Sequence, residues 1–323
     1  MSRLLDNLAI MLGRAPRKPT VLTPAAQAEF ARQNSKEGKA DRKRRIAEER
    51  EQNYRSHFWR NWRWISIIVI NLLFVLSYRA DVQLVEGALT ASRFVGFHMA
   101  DVNSALQVML AYKHVVINLL IGTATVVFIW WLVGGRSFCA WACPYHLLGE
   151  WAEMLHLRLA VRGLVKDHAL HRGARTVLYA IFAALAFATG YTVFEVISPV
   201  GILSRAFTYG ASLALIWVGV LLLIEVFYSR RFWCRYICPI GMTYGFVGSA
   251  APITVTYSLA NCLHEGKCRD VCMVPHVLEM TKIGYADDVR INIGADCTRC
   301  GMCVEVCPTK ALTFDIKGLN KLL

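Results

Sequence analysis

The sequence lacks the motifs that attach or bind several common redox cofactors. It has no CxxCH motif, the attachment site of c-type haem, and its apolar segments contain no paired histidines suited to bis-histidine haem. It has no dinucleotide fingerprint, which argues against a self-sufficient NAD or flavin enzyme. Residues 1–63 contain no apolar core of the length that a cleavable signal peptide needs. What the chain does have is an excess of basic residues, long apolar runs and 11 cysteines.

Four apolar runs divide a chain of 323 residues, of which 55% are hydrophobic. The runs cover residues 64–78 with their flanks, 115–133, 176–194 and 207–227. A helix that crosses the hydrocarbon of a membrane needs about 20 largely uncharged residues. Buried helices of a soluble domain explain the pattern poorly, because loops of alternating charge separate the runs. The sequence therefore predicts a mainly α membrane protein with four transmembrane helices.

The basic residues predict how these helices are oriented. The formal net charge is +13, and lysine and arginine are concentrated before the first run and in the loop of residues 134–175. Because basic loops stay on the cytoplasmic side, we expect this loop and both termini in the cytoplasm, with the protein in the bacterial inner membrane. A basic N-terminal segment could bind nucleic acid, but beside a membrane span topology explains it better, and we expect no nucleic-acid partner. We expect residues 1–57 to be partly disordered, with a short helix near residues 4–12, and residues 58–256 to form the membrane domain.

The last four cysteines have the C-x2-C-x2-C-x3-C-P spacing of bacterial [4Fe–4S] ferredoxins. They are Cys297, Cys300, Cys303 and Cys307, in the stretch DCTRCGMCVEVCP. In this pattern three thiolates bind one cluster, and the fourth reaches a second cluster. Because the cytoplasm keeps thiols reduced, metal binding is favoured over disulfides. Residues 257–323 are therefore predicted to form a cytoplasmic α+β ferredoxin module with two clusters.

The preceding stretch, NCLHEGKCRDVCMVP, repeats this motif with one substitution. Its cysteines are Cys262, Cys268 and Cys272. Glu265 takes the remaining cysteine position. Crosswise pairing predicts one cluster on Cys297, Cys300, Cys303 and Cys272, and another on Cys262, Cys268 and Cys307. The second set would hold a three-iron cluster, a cubane with Glu265 or His264 as an additional ligand, or no cluster.

Two further cysteine pairs lie at the ends of apolar runs. CAWACP contains Cys139 and Cys143, and CRYICP contains Cys234 and Cys238. Cysteines at i and i+4 share one helix face, and the proline after each second cysteine tends to end the helix there. The pairs follow the second and fourth runs, which are parallel in the predicted topology, so a pseudo-twofold arrangement would bring four thiolates to one iron–sulfur cluster. Two dithiol redox switches, or cysteines buried as small apolar residues, are the alternative interpretations.

The segments FEVISPVG at 194–201 and ITVTYSLANC at 253–262 complete a pattern with these motifs. With this pattern the chain resembles the NapH-type membrane quinol dehydrogenases, a polyferredoxin family with MauN and NosR relatives. The resemblance covers roughly residues 60–320 and departs from the family at Glu265 and Met273. It implies that quinol from the membrane pool is oxidised, and that electrons pass through iron–sulfur centres to a partner ferredoxin or c-type cytochrome. That partner would belong to a periplasmic respiratory reductase or dehydrogenase system.

A quinol site needs groups that accept protons and orient the headgroup. Ionisable residues at the membrane edge are candidates, because they are costly there. On the predicted outer side these are His114, Glu195, Arg205 and Tyr209. Each one alone could be an ordinary interfacial residue that reaches water. Glu225, near the inner end of the fourth run, is a second candidate, although it could pair with Arg230 or Arg231 instead.

Two other functions fit the same motifs. The CxxxCP thiols could reduce or deliver a metal ion such as copper, as in a metal reductase or maturation factor that resembles the CcoG-type polyferredoxins. Those proteins have a further domain after the ferredoxin module, whereas few residues follow Cys307, so quinol oxidation is favoured. The chain could also be a non-catalytic anchor for a soluble ferredoxin or reductase, but the intact cluster motif makes this function less economical.

Overall fold

The computed structural model describes residues 2–52, 57–80, 85–94 and 97–317, and these residues are mainly helical. Three helices precede the first apolar run: α1 (Ser2–Met11), α2 (Pro24–Asn34) and α3 (Lys36–Gln52). Thr23 caps α2, since its hydroxyl accepts a hydrogen bond from the Ala26 amide. Ala26 and Phe30 are buried in the core of the C-terminal module. The segment that we expected to be partly disordered thus contains three helices, and α2 packs on the C-terminal module.

Four helices coincide with the four apolar runs. They are α4 (Phe58–Arg79), α6 (Ile117–Val133), α9 (Ala174–Thr189) and α12 (Ala214–Phe227), with 22, 17, 16 and 14 residues. Within the described part of the chain, α4 alone is long and apolar enough to cross a membrane. At 1.5 Å per residue, α12 extends about 21 Å, which is less than the hydrocarbon thickness of about 30 Å. The structure therefore contains one candidate span and three shorter apolar helices in place of four full spans.

The apolar helices expose large apolar side chains and bury some polar ones. α4 exposes Ile68, Leu72 and Leu76, whereas it buries Arg63 and Asn71. In α12 large apolar side chains likewise face outward, and Glu225 is buried together with Val218 and Leu221. Large exposed apolar surfaces of this kind mark contact with a membrane or another protein.

The segments between the apolar helices also pack into the core. After α4, β1 (Val85–Ala88), β2 (Ala91–Phe94) and β3 (Phe97–Ala100) form an antiparallel sheet in chain order, followed by α5 (Val102–Tyr112). After α9 come α10 (Val193–Ile197) and α11 (Pro199–Tyr209). α5 buries Asn103, Ser104 and Gln107, and α11 buries Val200 and Ser204. Parts of the chain that read as connecting loops therefore supply polar side chains to the interior.

Each CxxxCP motif lies at a break between two helices. In the first copy, α7 (Ser137–Trp141) ends before Cys143, and α8 (Pro144–Val161) begins directly after it. In the second, a π-helix (Trp233–Ile237) ends before Cys238, and α13 (Ile240–Ser249) follows. Cys143 and Cys238 have nearly the same extended backbone, with ψ angles of 117° and 113°. The prediction that each short helix ends at the cysteine before proline is confirmed.

The C-terminal module is an α+β unit, as predicted. β4 (Ile253–Ser258) lies between β5 (Arg290–Asn292) and β6 (Leu312–Ile316) in an antiparallel sheet. Short helices connect the strands: α14 (Lys267–Asp270), a 3-10 helix (Pro275–Thr281) and α15 (Met302–Glu305). Tyr257, Leu259 and Leu278 are fully buried at its centre, and seven cysteines lie in or against the same core.

Candidate metal centres

The four cysteines of the CxxxCP motifs line one cavity of about 300 Å³. Cys139 and Cys143 enter it from the first motif, and Cys234 and Cys238 enter it from the second. Cys143 and Cys238 are buried, whereas the first cysteine of each pair is partly buried. The fold therefore brings together the two pairs that the sequence predicts to meet.

The cavity is rich in positive charge. Its lining includes Arg136, Arg172, Arg175, Arg231 and Arg235. Nε and Nη2 of Arg235 and Nε of Arg136 are buried and have no hydrogen-bond partner among the described residues. Buried guanidinium groups are costly unless an anionic group faces them. A [4Fe–4S] cluster with four thiolate ligands is anionic, so the donor set and the surrounding charge both fit this cofactor.

The protonation of the four thiols bears on the alternative of redox switches. Burial raises the pKa of each thiol, that of Cys238 to about 12, and a neighbouring cysteine adds to the rise at Cys143 and Cys238. A reactive dithiol needs a lowered thiol pKa, whereas metal ligands lose their protons when the metal binds. The four thiols therefore lack the lowered pKa that a reactive dithiol needs.

A second, smaller cavity lies in the C-terminal module. It is lined by Cys272, Cys297, Cys300 and Cys303, the first crosswise set. The Arg299 amide donates a hydrogen bond to Cys297 Sγ at 3.4 Å. Gly301 has a φ of 77°, and a Cβ atom there would lie 2.6 Å from the Trp59 ring, so the loop requires glycine at this position. The four sulfurs and the apolar wall fit one [4Fe–4S] cluster.

The second crosswise set gathers around Tyr257. Cys262, Cys268 and Cys307 all lie within electrostatic range of its hydroxyl. The His264 amide donates to Cys262 Sγ at 3.4 Å, and the Ala311 amide donates to Cys307 Sγ at 3.3 Å. Hydrogen bonds to the sulfurs are one way in which a protein sets the reduction potential of a cluster. This site therefore has three thiols in a setting that suits a cluster.

The cavity of the CxxxCP cysteines and the cavity of the first crosswise set share part of their walls. Val274 and Thr298 line both. Thr298 directly follows Cys297, and Val274 lies two residues after Cys272. In turn, Cys268 of the second set lies within electrostatic range of Cys272 and Cys303. The three cysteine sets thus follow one another from the helices that precede β4, here called the apolar core, into the C-terminal module.

Asp296 joins the apolar core to the C-terminal module. Arg136 donates to its carboxylate and to its backbone oxygen, Arg175 Nη2 lies 3.0 Å from Oδ1, and His276 Nε2 lies 2.7 Å from Oδ2. Burial opposes ionisation, but the charges of Arg136 and Arg175 hold the pKa of Asp296 well below its usual value. Burial lowers the pKa of His276 to about 4, so this ring is a neutral donor at pH 7.

Among the residues that the structure describes, no group of three or more His, Cys, Asp and Glu side chains is arranged to hold a metal ion. The ligands of a cubane bind four separate irons, so they surround a larger body than a single ion.

Of the residues predicted for the quinol site, Glu195 and Arg205 lie together and His114 is exposed. Arg205 Nη2 donates to the Glu195 backbone oxygen at 3.2 Å. Ser104 Oγ donates to Glu195 Oε1 at 2.5 Å. Tyr209 is exposed and makes an edge-to-face contact with Tyr78. The structure thus supports a polar site at Glu195 and Arg205.

Asp101 continues this polar chain inward, and no sequence motif identified it. Its Oδ2 lies 3.5 Å from Ser104 Oγ and caps α5. Its Oδ1 is buried without a hydrogen-bond partner among the described residues, although Tyr244 lies within electrostatic range. Tyr244 stacks on Phe138, a residue of the cysteine cavity wall. Burial, and then the charge of Glu195, raises the pKa of Asp101 to about 7.

Glu225 lies beside the cysteine cavity, and within the described part of the chain it forms no close ion pair with an arginine. Its Oε1 accepts hydrogen bonds from the Tyr145 hydroxyl at 3.0 Å and from the Trp233 amide at 3.3 Å. Arg230 and Arg231 form ion pairs with other carboxylates. Neither arginine therefore forms a close ion pair with Glu225 in the described structure, although the charge of Arg231 acts on this carboxylate.

His146 is a further cavity residue that the sequence motifs did not single out. Arg63 Nη1 lies 3.3 Å from its Nε2, and Arg231 Nη1 lies 3.2 Å from its Nδ1. Burial and then the two arginine charges lower the pKa of His146 well below its usual value, so the ring is neutral. It can therefore accept a hydrogen bond and hold an arginine beside the thiols.

Comparison with family models identifies two regions of the chain. One model, described as a 4Fe-4S binding domain, matches residues 115–162 and 211–252, and each of these segments contains one CxxxCP motif. Another model with the same description matches residues 295–313. The conclusion that the chain contains iron–sulfur binding domains therefore applies to both the apolar core and the C-terminal module.

Several curated proteins are similar over most of their length. The methylamine utilization ferredoxin-type protein MauN of Paracoccus denitrificans is 30% identical over 69% of this chain and 78% of its own. MauN of Methylorubrum extorquens is 29% identical over 82% of this chain and 91% of its own. The ferredoxin-type protein NapH of Escherichia coli is 29% identical over 85% of this chain and 96% of its own. No solved structure matches the chain.

Proposed function

Because this chain belongs to the family of ferredoxin-type proteins that includes NapH and MauN, we propose that it is a membrane-bound iron–sulfur protein that oxidises quinol. It passes the electrons to a partner ferredoxin or c-type cytochrome. The observation that carries this proposal is the wall of Val274 and Thr298 shared by the two cavities. Electron transfer falls off steeply with distance, and one layer of side chains between two cysteine sets supports a continuous path.

The proposal assigns a cluster to each cysteine set. The CxxxCP cysteines hold one [4Fe–4S] cluster jointly, which the arginine-rich lining of their cavity supports. The first crosswise set holds a second cluster, and the cysteines around Tyr257 hold a third. The clusters supply one-electron redox chemistry, while the protein sets their order and surroundings.

The surface of the apolar core supports a membrane location. Each of the four apolar helices exposes large aliphatic or aromatic side chains, and α4 and α12 turn charged groups inward. The shorter helices can cross a membrane only together with the segments packed beside them, such as α5 and α11. We propose that these helices and segments form one multi-pass unit with both termini in the cytoplasm.

The residues for quinol oxidation are Asp101, Ser104, Glu195 and Arg205. Oxidation of one quinol releases two electrons and two protons, so proton acceptors are needed near the electron path. Asp101 lies toward the cysteine cavity, and Ser104 bridges it to the partly exposed Glu195. Arg205 fixes the backbone at Glu195. Protons therefore have a route from Asp101 to water through Glu195.

The electron-transfer proposal is tested by adding a reduced quinol analogue to the anaerobic protein in detergent. We expect the visible absorbance of the clusters to bleach, with dithionite giving the limit of full reduction. Bleaching by dithionite and none by the quinol would refute quinol oxidation. Reduction of Cu(II) by the dithionite-reduced protein, lost with the CxxxCP cysteines, would then favour the metal reductase.

A pH profile tests the role of Asp101. Because its pKa is about 7, it is protonated below this pH and becomes a base above it, so the quinol oxidation rate should rise through pH 7. Asp101→Asn keeps a good helix cap but cannot accept the proton, so we expect the step to vanish and the rate to fall by about 10²-fold.

The free energy of unfolding tests the protonation of Asp101 independently of quinol oxidation. The folded state binds this proton more tightly than the unfolded chain, so stability is lost as pH rises from about 4 to 7. Asp101→Asn should remove this loss. An unchanged pH step in the variant would contradict the assignment, whereas Ser104→Ala should slow the reaction and keep the step.

A further inference from the structure

The two cysteine loops of the C-terminal module have the same backbone conformation. In the first crosswise set, Arg299 and Gly301 have φ angles of 49° and 77° on either side of Cys300. In the other loop, His264 and Gly266 have φ angles of 56° and 87° on either side of Glu265. Each loop then starts a four-residue helix, α15 or α14.

The hydrogen bonds of the two loops also match. The Arg299 and His264 amides each donate to the sulfur of the cysteine two residues earlier, and both distances are 3.4 Å. Positive φ angles are uncommon in residues other than glycine. Arg299 and His264 both have one, and each is followed two residues later by a glycine with positive φ, which indicates that the two loops meet the same structural requirement. Glu265 therefore occupies the backbone position that Cys300, a predicted cluster ligand, occupies in the other loop.

The Glu265 carboxylate has few hydrogen-bond or ion-pair partners among the described residues. It is only 11% exposed, and its Oε1 is buried without a hydrogen-bond partner among the described residues. Its Oε2 lies 2.9 Å from Nζ of Lys267, a side chain that is 46% exposed. A buried carboxylate oxygen without a partner is costly, which points to a positively charged ligand at this position.

His264, the alternative nitrogen ligand, has an acceptor oxygen beside each ring nitrogen, and its neutral ring donates to one of them. Nδ1 lies 2.8 Å from the Thr281 backbone oxygen, and Nε2 lies 3.0 Å from Gln33 Oε1 of α2. Gln33 is itself held, since its amide nitrogen donates to the Leu259 backbone oxygen at 2.9 Å. Binding iron through His264 would break one of these contacts, whereas Glu265 Oε1 has none to lose.

We propose that Glu265 is the fourth ligand of the cluster on Cys262, Cys268 and Cys307, and that it binds one iron through Oε1. This assignment rests on the proposed iron–sulfur function and adds a ligand to it. A carboxylate holds this iron less firmly than a thiolate. One-electron oxidation by ferricyanide then converts [4Fe–4S]²⁺ into [3Fe–4S]⁺ with release of Fe²⁺, and the freed carboxylate stays paired with Lys267.

The test uses the full chain, prepared anaerobically in detergent and treated with ferricyanide. In the wild type we expect loss of about one iron per protein and growth of a three-iron EPR signal, reversed by Fe²⁺ and dithionite. Glu265→Cys should retain all its iron and give no such signal. Glu265→Gln should lack about one iron before any oxidant is added.

Two controls make the result specific. Combining Cys297→Ser with Cys303→Ser removes two ligands of the other ferredoxin cluster, so that cluster is lost and the three-iron signal of the Glu265 site should remain. His264→Ala should behave as the wild type, and loss of iron in that variant together with none in Glu265→Gln would overturn the assignment. A wild-type protein with no cluster at this site would also overturn it. None of these readouts uses quinol, so failure of quinol oxidation gives a separate result.

Discussion

Replacement of Cys143 by serine is expected to remove nearly all quinol-driven reduction of the ferredoxin clusters. The same loss is expected for Cys139, Cys234 and Cys238, because all four line one arginine-rich cavity. Each single variant should also lose iron, about one per protein where a three-iron form persists and about four where the whole cluster is lost. Cluster bleaching by a quinol analogue and iron analysis measure the two effects.

The double variants separate the three interpretations of the motif. If the four thiolates form one unit, adding Cys238→Ser to Cys143→Ser should change little, because units of this kind respond non-additively. Independent dithiol switches predict that changes across the pairs compound, whereas changes within a pair are redundant. Ala142→Ser is the matched control, since it places a hydroxyl at a buried position next to Cys143 and should keep both iron and activity. Full iron and normal reduction in Cys143→Ser would refute the shared centre.

The grouping of the cysteines could be predicted from the sequence because ligand spacing is a local property. The C-x2-C-x2-C-x3-C-P pattern fixes which sulfurs face the same way, and the structure groups the same crosswise set around one cavity. The meeting of the two CxxxCP motifs needed one further assumption, that they follow parallel segments. The spacing within each motif is local, whereas the meeting of the two CxxxCP motifs depends on how distant segments of the chain pack.

The helix lengths could not be predicted from hydrophobicity alone. The run of residues 207–227 includes Gly210, which has a φ of 104° and ends α11, so α12 begins only at Ala214. The run of residues 176–194 likewise continues past Gly190, whose φ of 71° ends α9. A hydrophobicity scale treats both glycines as neutral. Their positive φ angles nevertheless end the helices at these positions.

The buried carboxylates could not be predicted for a different reason. Asp101 reads as an ordinary helix cap in a charge-balanced loop, and only the packing of α5 into the core shows that it is buried. Asp296 precedes a cluster cysteine, but its partners Arg136 and Arg175 lie more than 100 residues earlier. One sequence contains no signal for contacts of this range.

Asp296→Ala is expected to weaken the junction between the apolar core and the C-terminal module severely. Arg136 and Arg175 are 5% and 4% exposed, and the variant leaves both charges without their carboxylate. Removal of one partner from a buried ion pair typically costs about 3–5 kcal/mol. Because the folded pKa of Asp296 is depressed, its contribution is fully present at pH 7 and disappears only in acid. The loss should appear as a lower Tm and as faster proteolysis of the C-terminal module.

The same variant tests whether Asp296 holds the two cysteine cavities next to each other. We expect slower reduction of the ferredoxin clusters by quinol, with unchanged reduction by dithionite, because the wall of Val274 and Thr298 depends on this junction. Asp6→Ala removes an exposed ion pair with Arg14 and should change stability by less than about 1 kcal/mol. In a cycle with Arg136→Met, the two changes should be strongly non-additive, since the second removes a charge that the first left unpaired. A Tm for Asp296→Ala equal to that of Asp6→Ala, with normal quinol-driven reduction, would show that the junction does not depend on this carboxylate.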